Sequence, residues 1–262
     1  MLTRSKQMAG RSGSVESRIA LLVLVTAAVA VYACNSGPTS PPTPPNGGTE
    51  NGAPKAPVKP GVTTLCKAGP GATFVVQVGV GGPNPTSKTV SVAGGQCVDV
   101  ATVDVAAKDD VIIAIAENPT DFSALDHIQL QQGSAAPKEV TKTSSISFEG
   151  SHGAVVTYFN NALVTLCKQG LTGNFEFQIG LTDQFHPLSL AAGQCSEIAS
   201  IPPAALGDDV VVTIRENASS SYRLDHIALS IGGLAAKTVT GETSISFEGV
   251  HGAVLTFFNV AP

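Results

Sequence analysis

The stretch Ile146–Asn160, ISFEGSHGAVVTYFN, returns 99 residues later as Ile245–Asn259, ISFEGVHGAVLTFFN. Reading outward, Asp110 to Asn160 aligns without a gap on Asp209 to Asn259, with 28 of 51 positions identical. Shared words include ENxxxxxxLDHIxL and KxVT. Upstream, LCKAG (Leu65–Gly69) answers LCKQG (Leu166–Gly170), and AGGQC (Ala93–Cys97) answers AAGQC (Ala191–Cys195). Chance does not supply such density, so the chain holds two tandem units of about a hundred residues each.

Both units read as strands. Thr73–Val80 and Asn174–Gly180 are alternating or continuous apolar runs. Asp110–Glu117 and Asp209–Glu216 are β-branched, and Ala154–Asn160 and Ala253–Asn259 are rich in Val, Thr and aromatics. Clusters of Gly, Pro, Asn and Asp bound these runs, and no window sustains a 3.6-residue period. About seven short strands per hundred residues predicts an all-β fold, with two tandem immunoglobulin-like β-sandwich domains. Composition agrees: of 262 residues 27 are Gly and 17 Pro, none is Trp, and only 13% are charged. A net charge of -5 with no Lys/Arg cluster in the body argues against a nucleic-acid partner.

The first sixty residues carry a different message. Arg4, Lys6, Arg11 and Arg18 precede the uncharged run Ile19–Ala33, IALLVLVTAAVAVYA. Fifteen residues are short for a membrane-spanning helix, which needs ~20, and suit a signal-peptide core. Val31-Tyr32-Ala33-Cys34 resembles a bacterial lipobox, although a residue smaller than Tyr32 is usual there. The resemblance implies a lipidated Cys34 and a membrane anchor. Cleavage after Ala28-Val29-Ala30 is the other reading, and Met8 is an alternative start. From Asn35 to Pro60, twelve of twenty-six residues are Pro or Gly, the composition of a spacer too polar to fold. The expected organisation is a signal peptide over 1–33, a lipidated Cys and linker over 34–60, and sandwich repeats over 61–161 and 162–262.

Setting Cys34 aside leaves four cysteines, two per repeat at matching places: Cys66 with Cys97, and Cys167 with Cys195. Four cysteines permit three pairings, and the duplication favours the one within each repeat. Export to an oxidising compartment lets disulfides persist, and no C-x2-C knuckle suggests zinc.

The order LCK…GA-F…AG-C…V-V-EN…Y-LD-I…V-F-N resembles the prealbumin-like, Cna-B-type repeats of bacterial surface proteins and pilus backbones. The match spans residues 61–262. Many members of that family join their first and last strands by a spontaneous Lys–Asn isopeptide bond, assisted by a buried acid. The resemblance places that role on Lys67, Glu117 and Asn160 in the first repeat, and on Lys168, Glu216 and Asn259 in the second. Strand parity is compatible: Lys168 shares a face with Leu166 and Val164, Glu216 with Ile214 and Val212, Asn259 with Phe257 and Leu255. In the first repeat Leu65 accompanies Lys67, Ile113 and Ile115 accompany Glu117, and Val156 and Tyr158 accompany Asn160. The chemistry needs a neutral Lys and a protonated Glu, and burial favours both. A plainer reading makes the lysines solvent-facing, the Glu-Asn pairs turn openers and each closing Asn a strand terminator. The cysteine beside each Lys, and Phe122-Ser123 in place of the family's Gly-Tyr, depart from the crosslinked pattern. In the second repeat Tyr222 remains.

Four of the five histidines are duplicated, His127 with His226 and His152 with His251. Beside Asp126, Asp225, Glu149 and Glu248 they invite a metal-site reading, but no ligand spacing supports it, and LDHI reads as apolar residues flanking a polar pair. Asp109-Asp110 and Asp208-Asp209 lack the alternating oxygens of a calcium loop. G-x-S-x-G, Walker A and H-E-x-x-H words are missing from the sequence. The expectation is therefore a non-enzymatic, lipid-anchored envelope protein needing no cofactor, a stalk or display module of two stapled sandwiches. The alternative is an adhesin-like module binding a surface protein, peptide or glycan. Phe74, Phe148, Phe247 and Phe257 read as core, which leaves few aromatics for a ligand face.

Overall fold

The computed structural model describes residues 53–82, 84–106, 111–203 and 210–262. Cys34, the leader, most of the spacer and both Asp-Asp pairs lie outside the described residues. The rest is all-β. In the first repeat the strands are β1 (Val62–Ala68), β2 (Ala72–Val78), β3 (Thr86–Val92), β4 (Cys97–Thr102), β5 (Ile112–Glu117), β6 (Ser123–Gln132), β7 (Lys138–Thr141) and β8 (Ser145–Glu149). β9 (Ala154–Gln169) follows. The second repeat continues with β10 (Gly173–Ile179), β11 (His186–Leu190), β12 (Cys195–Ile201), β13 (Val211–Glu216), β14 (Arg223–Ile231), β15 (Lys237–Val239), β16 (Ser244–Glu248) and β17 (Ala253–Val260). A 3-10 turn, Gly249–His251, precedes the last strand.

In each repeat two sheets pack face to face. The first repeat sets β3-β2-β5-β8 against β4, β1, β9, β6 and β7. Its core joins Leu65, Val100, Ile128, Val156 and Tyr158 from one sheet to Phe74, Val76, Ile113, Ile115 and Phe148 from the other. The second repeat sets β11-β10-β13-β16 against β12, β9, β17, β14 and β15. Val164, Leu166, Ile227, Leu255 and Phe257 there meet Phe175, Val212, Ile214 and Phe247. Alternation produces this: period-two strands put one set of apolar side chains inward, and two such faces exclude water from a common layer. The four phenylalanines expected in the core are all buried.

Nearly all the pairings are antiparallel. The exceptions are β1 with β9 and β9 with β17, the opening and closing strands of each repeat. One strand serves both repeats. The expected strand end at Asn160 is not there: β9 runs through Asn160 and Asn161 without a break, closing the first sandwich with its first half and opening the second with its other half. Its partners explain the continuity. β6 follows β9 as far as Ala162, and β12 pairs with it from Ala162 onward, so every stretch of β9 has a ladder. Phe122 reinforces the junction, its carbonyl accepting from Leu163 N–H at 3.0 Å and its ring lying over Gly233 of the second repeat.

Candidate functional site: two buried Lys–Glu–Asn clusters

Parallel pairing of β1 with β9 sets Lys67 opposite Tyr158, so Asn160 is the next inward position along β9. The second repeat repeats the register, Lys168 opposite Phe257 and Asn259 two residues further. The acid comes from the facing sheet: Glu117 ends β5 and Glu216 ends β13, each opposite a phenylalanine, Phe74 or Phe175. Lys67 and Lys168 are 0% exposed, the two glutamates 7% and 6%, and the asparagines 2% and 4%. The plainer reading of the lysines as solvent-facing is therefore wrong, because parity turns them into the sandwich. Glu117 and Glu216 close buried strands rather than open exposed turns.

The three side chains meet in each repeat. In the first, Lys67 Nζ lies 3.7 Å from Glu117 Oε1 and donates to the Ala68 carbonyl at 3.0 Å. The Asn160 amide donates to Glu117 Oε1 at 2.8 Å and to Ser123 Oγ at 3.3 Å. In the second, Lys168 Nζ lies 3.9 Å from Glu216 Oε1 and donates to the carbonyls of Gln169 and Phe257 at 2.8 and 3.0 Å. Asn259 donates to Glu216 Oε1 at 2.7 Å. Edge-on aromatic pairs floor both sites, Phe74 with Tyr158 at 4.9 Å and Phe175 with Phe257 at 5.1 Å.

Burial sets the charge states. It pushes the Lys67 ammonium down from 10.5 to about 8, against the pull of the Glu117 carboxylate. Lys168 is lowered for the same reason, opposed by Glu216. Both glutamates are raised, because desolvation outweighs the neighbouring lysine and the asparagine hydrogen bond. Each pair is thus driven toward neutral amine and neutral acid. The polar atoms also remain incompletely matched. Among the described residues four buried side-chain N or O atoms have no hydrogen-bond partner, and three belong here: Asn160 Oδ1, Asn259 Oδ1 and Glu216 Oε2. Such an atom ordinarily costs on the order of 1–3 kcal/mol. Three of these four atoms thus fall at two equivalent places, one in each repeat.

The cysteines flank these clusters. Cys66 bonds Cys97 and Cys167 bonds Cys195, and each pair sits directly opposite across an antiparallel ladder, β1 with β4 and β9 with β12. Since neighbours on a strand face opposite ways, the disulfide and the lysine use different faces of the same strand. The opening strand of each sandwich is therefore tied to one neighbour by sulfur and presents a lysine to the other. A second staple beside the first is geometrically compatible.

Two glycines in the duplicated LCKxG word belong to the site, though the sequence showed them only as turn residues. Gly69 and Gly170 have positive φ, and a Cβ there would fall 2.0 Å from the Asn160 carbonyl oxygen and 1.9 Å from that of Asn259. Only a hydrogen side chain lets the Lys strand run this close to the Asn strand. Gly170→Ala is expected to destabilise the second repeat by about 1–3 kcal/mol. Chemical denaturation of the variant measures it, and an unchanged midpoint would contradict the close-approach role.

The histidines do not gather into a site. His127 and His226 stack on Phe159 and Phe258 at 4.1 and 4.2 Å, each bonded to its preceding aspartate at 2.8 Å. His152 and His251 lie in exposed turns near Glu149 and Glu248 at 3.8 and 3.9 Å.

No family model and no curated protein matches this chain. Among solved structures it is similar to the major pilin from Streptococcus pyogenes, at 14% identity and a TM-score of 0.33, covering 77% of this chain and 99% of the pilin. The T-13 major pilin of the same species gives 14% and 0.32, with 79% and 100% covered. A Mobiluncus mulieris adhesin described as containing intramolecular disulfide, isopeptide and ester bond cross-links gives 13% and 0.28, with 78% and 87% covered. At such scores the likeness bears no weight on function.

Proposed function

We propose that this chain is an exported, lipid-anchored structural protein of the bacterial cell envelope, whose two sandwiches seal themselves with Lys67–Asn160 and Lys168–Asn259 isopeptide bonds. The observation that carries the reading is the pair of buried Lys–Glu–Asn clusters with unpartnered amide oxygens. In each, the neutral lysine Nζ attacks the asparagine Cγ and the Cγ–Nδ2 bond breaks. The glutamate relays one proton from Nζ to Nδ2, and ammonia leaves. No electrons change hands and no cofactor is consumed. The chain acts on itself and turns over no external substrate. Intact mass of the folded, disulfide-reduced protein tests this: two ammonia molecules fewer than the sequence supports it, and the full sequence mass refutes it.

The spacer and Cys34 supply the location. A lipid on Cys34 fixes the chain to a membrane, and the Pro-rich segment holds the sandwiches away from it. Cys34→Ala is expected to move the protein from the membrane fraction to the soluble fraction, as fractionation and blotting would show; retention in the membrane would count against the anchor.

An uncrosslinked form has its own pH signature. Asn160→Ala removes the amide under attack and leaves Lys67 buried as a free amine. Its folded pKa of about 8 lies below the value of 10.5 for the ordinary amine. Between these values the unfolded chain binds the proton that the folded chain lacks, so stability rises with pH across that window. Thermal melts of Asn160→Ala should climb from pH 8 to pH 10, whereas the crosslinked parent, with no amine to titrate there, should not share that rise.

A further inference from the structure

We propose that Ser123 is a catalytic hydroxyl of the self-crosslinking reaction, and that it serves the first repeat alone. The inference rests on the reading that the bonds form, and it adds a group that the Lys–Glu–Asn triad does not contain. Ser123 opens β6, is buried, and places Oγ 3.3 Å from the Asn160 amide nitrogen, the atom that must leave. Its own hydroxyl is held by Thr120 Oγ1 at 2.7 Å, and the two residues also form an isolated backbone bridge. A hydroxyl both donates and accepts. When Thr120 donates to Ser123, the Ser123 proton is free to point at the amide.

The amide presents two atoms that need such help. Asn160 Oδ1 is buried without a partner, and negative charge develops on that oxygen as Nζ attacks Cγ. A half-turn of the amide exchanges Oδ1 and Nδ2, bringing the oxygen between the protonated Glu117 and the Ser123 hydroxyl. Both then donate to it; once Cγ is tetrahedral, Glu117 takes the Nζ proton on its free oxygen and passes its own proton to Nδ2, which departs as ammonia. A cleft of about 240 Å³ bordered by Glu117, Ser123, Ser144 and Asn160 adjoins the site and gives the ammonia a way out.

The second repeat lacks this device. Tyr222 stands at the position of Ser123, and its hydroxyl donates to the Asn217 carbonyl at 3.1 Å. Ser219, at the position of Thr120, accepts from the Ser221 N–H instead. Asn259 donates to Glu216 alone among the described residues. Lys168 is also held by the Phe257 carbonyl, a bond from which its nitrogen must turn to attack. The first bond should accordingly close sooner than the second.

The test uses the full chain made by cell-free synthesis, with the crosslinked peptides Lys67–Asn160 and Lys168–Asn259 quantified by mass spectrometry over time and across pH. Ser123→Ala should slow the first bond about ten-fold and leave the second at its parental rate. That is less than the ~10²–10³ lost with a well-formed oxyanion donor, because 3.3 Å is long. The pH profile of the slowed bond should keep its position. A profile displaced toward ordinary lysine behaviour, the sign of water entering a loosened site, would overturn the proposal in favour of a packing role. An unslowed first bond, or equal slowing of both, overturns it as well. Should the parent chain form neither bond, the proposed function fails first and by a separate reading.

Discussion

Glu117→Gln stops ammonia loss in the first repeat and leaves the second repeat's bond intact, so the variant loses one ammonia where the parent loses two. Glutamine keeps the shape of the acid and a hydrogen bond to Asn160, and it cannot carry a proton from Nζ to Nδ2. Lys67 is fully buried and Asn160 nearly so, so bulk solvent is a poor substitute for a carboxyl held between them. The thermodynamic effect is correspondingly large. A bond closing roughly ninety residues removes about 4–5 kcal/mol of denatured-state entropy, and its absence leaves Lys67 buried without its counter-charge. For a unit of about a hundred residues that corresponds to a fall of roughly 20 °C in the melting temperature of the first repeat. Calorimetry should then resolve two transitions where the parent shows its repeats closer together. Retention of both ammonia losses in this variant would remove Glu117 from the chemistry.

The second large effect is mechanical. Pulled between its ends, the crosslinked parent is expected to stiffen without either repeat unfolding. With both proposed bonds closed, tension would pass along β1 to Lys67, across to Asn160, down β9 to Lys168, and across to Asn259 near the end of β17. Residues between each Lys and its Asn lie outside that covalent route. In the double variant Asn160→Ala with Asn259→Ala, with the disulfides reduced, each repeat releases roughly ninety residues, which at ~3.3–3.6 Å per residue is about 300 Å of added contour length per repeat. Single-molecule force spectroscopy under reducing conditions reads this directly. Equal contour lengths for parent and double variant would show that no bond shields the repeats.

Much of this was legible in the residues. Duplication exposed the two units, and alternation exposed the strands and the inward parity of Lys67, Glu117 and Asn160. Matching cysteines indicated the bonds Cys66–Cys97 and Cys167–Cys195. Three features stayed hidden for physical reasons. The run through Asn160-Asn161 reads as an ending, because asparagine is a poor strand former; only the ladders supplied by β6 and β12 keep β9 extended there. Gly69 and Gly170 carried a signal, retention in both repeats, but a glycine does not announce whether it serves a turn or a close approach. Ser123 carried no repeat signal at all. It differs from Tyr222, and a comparison of the two halves discards what only one of them has.

The shared strand also imposes an order in time. A chain threaded outward from its N-terminus completes the first sandwich when the first half of β9 docks beside β1. That docking fixes the direction and pleat of the second half before β10 to β17 have any sheet to join. The first repeat is then a template, and the second adds its strands to an edge already laid down in the correct register. Assembly would proceed from the first repeat to the second, one folded unit offering the seed of the next.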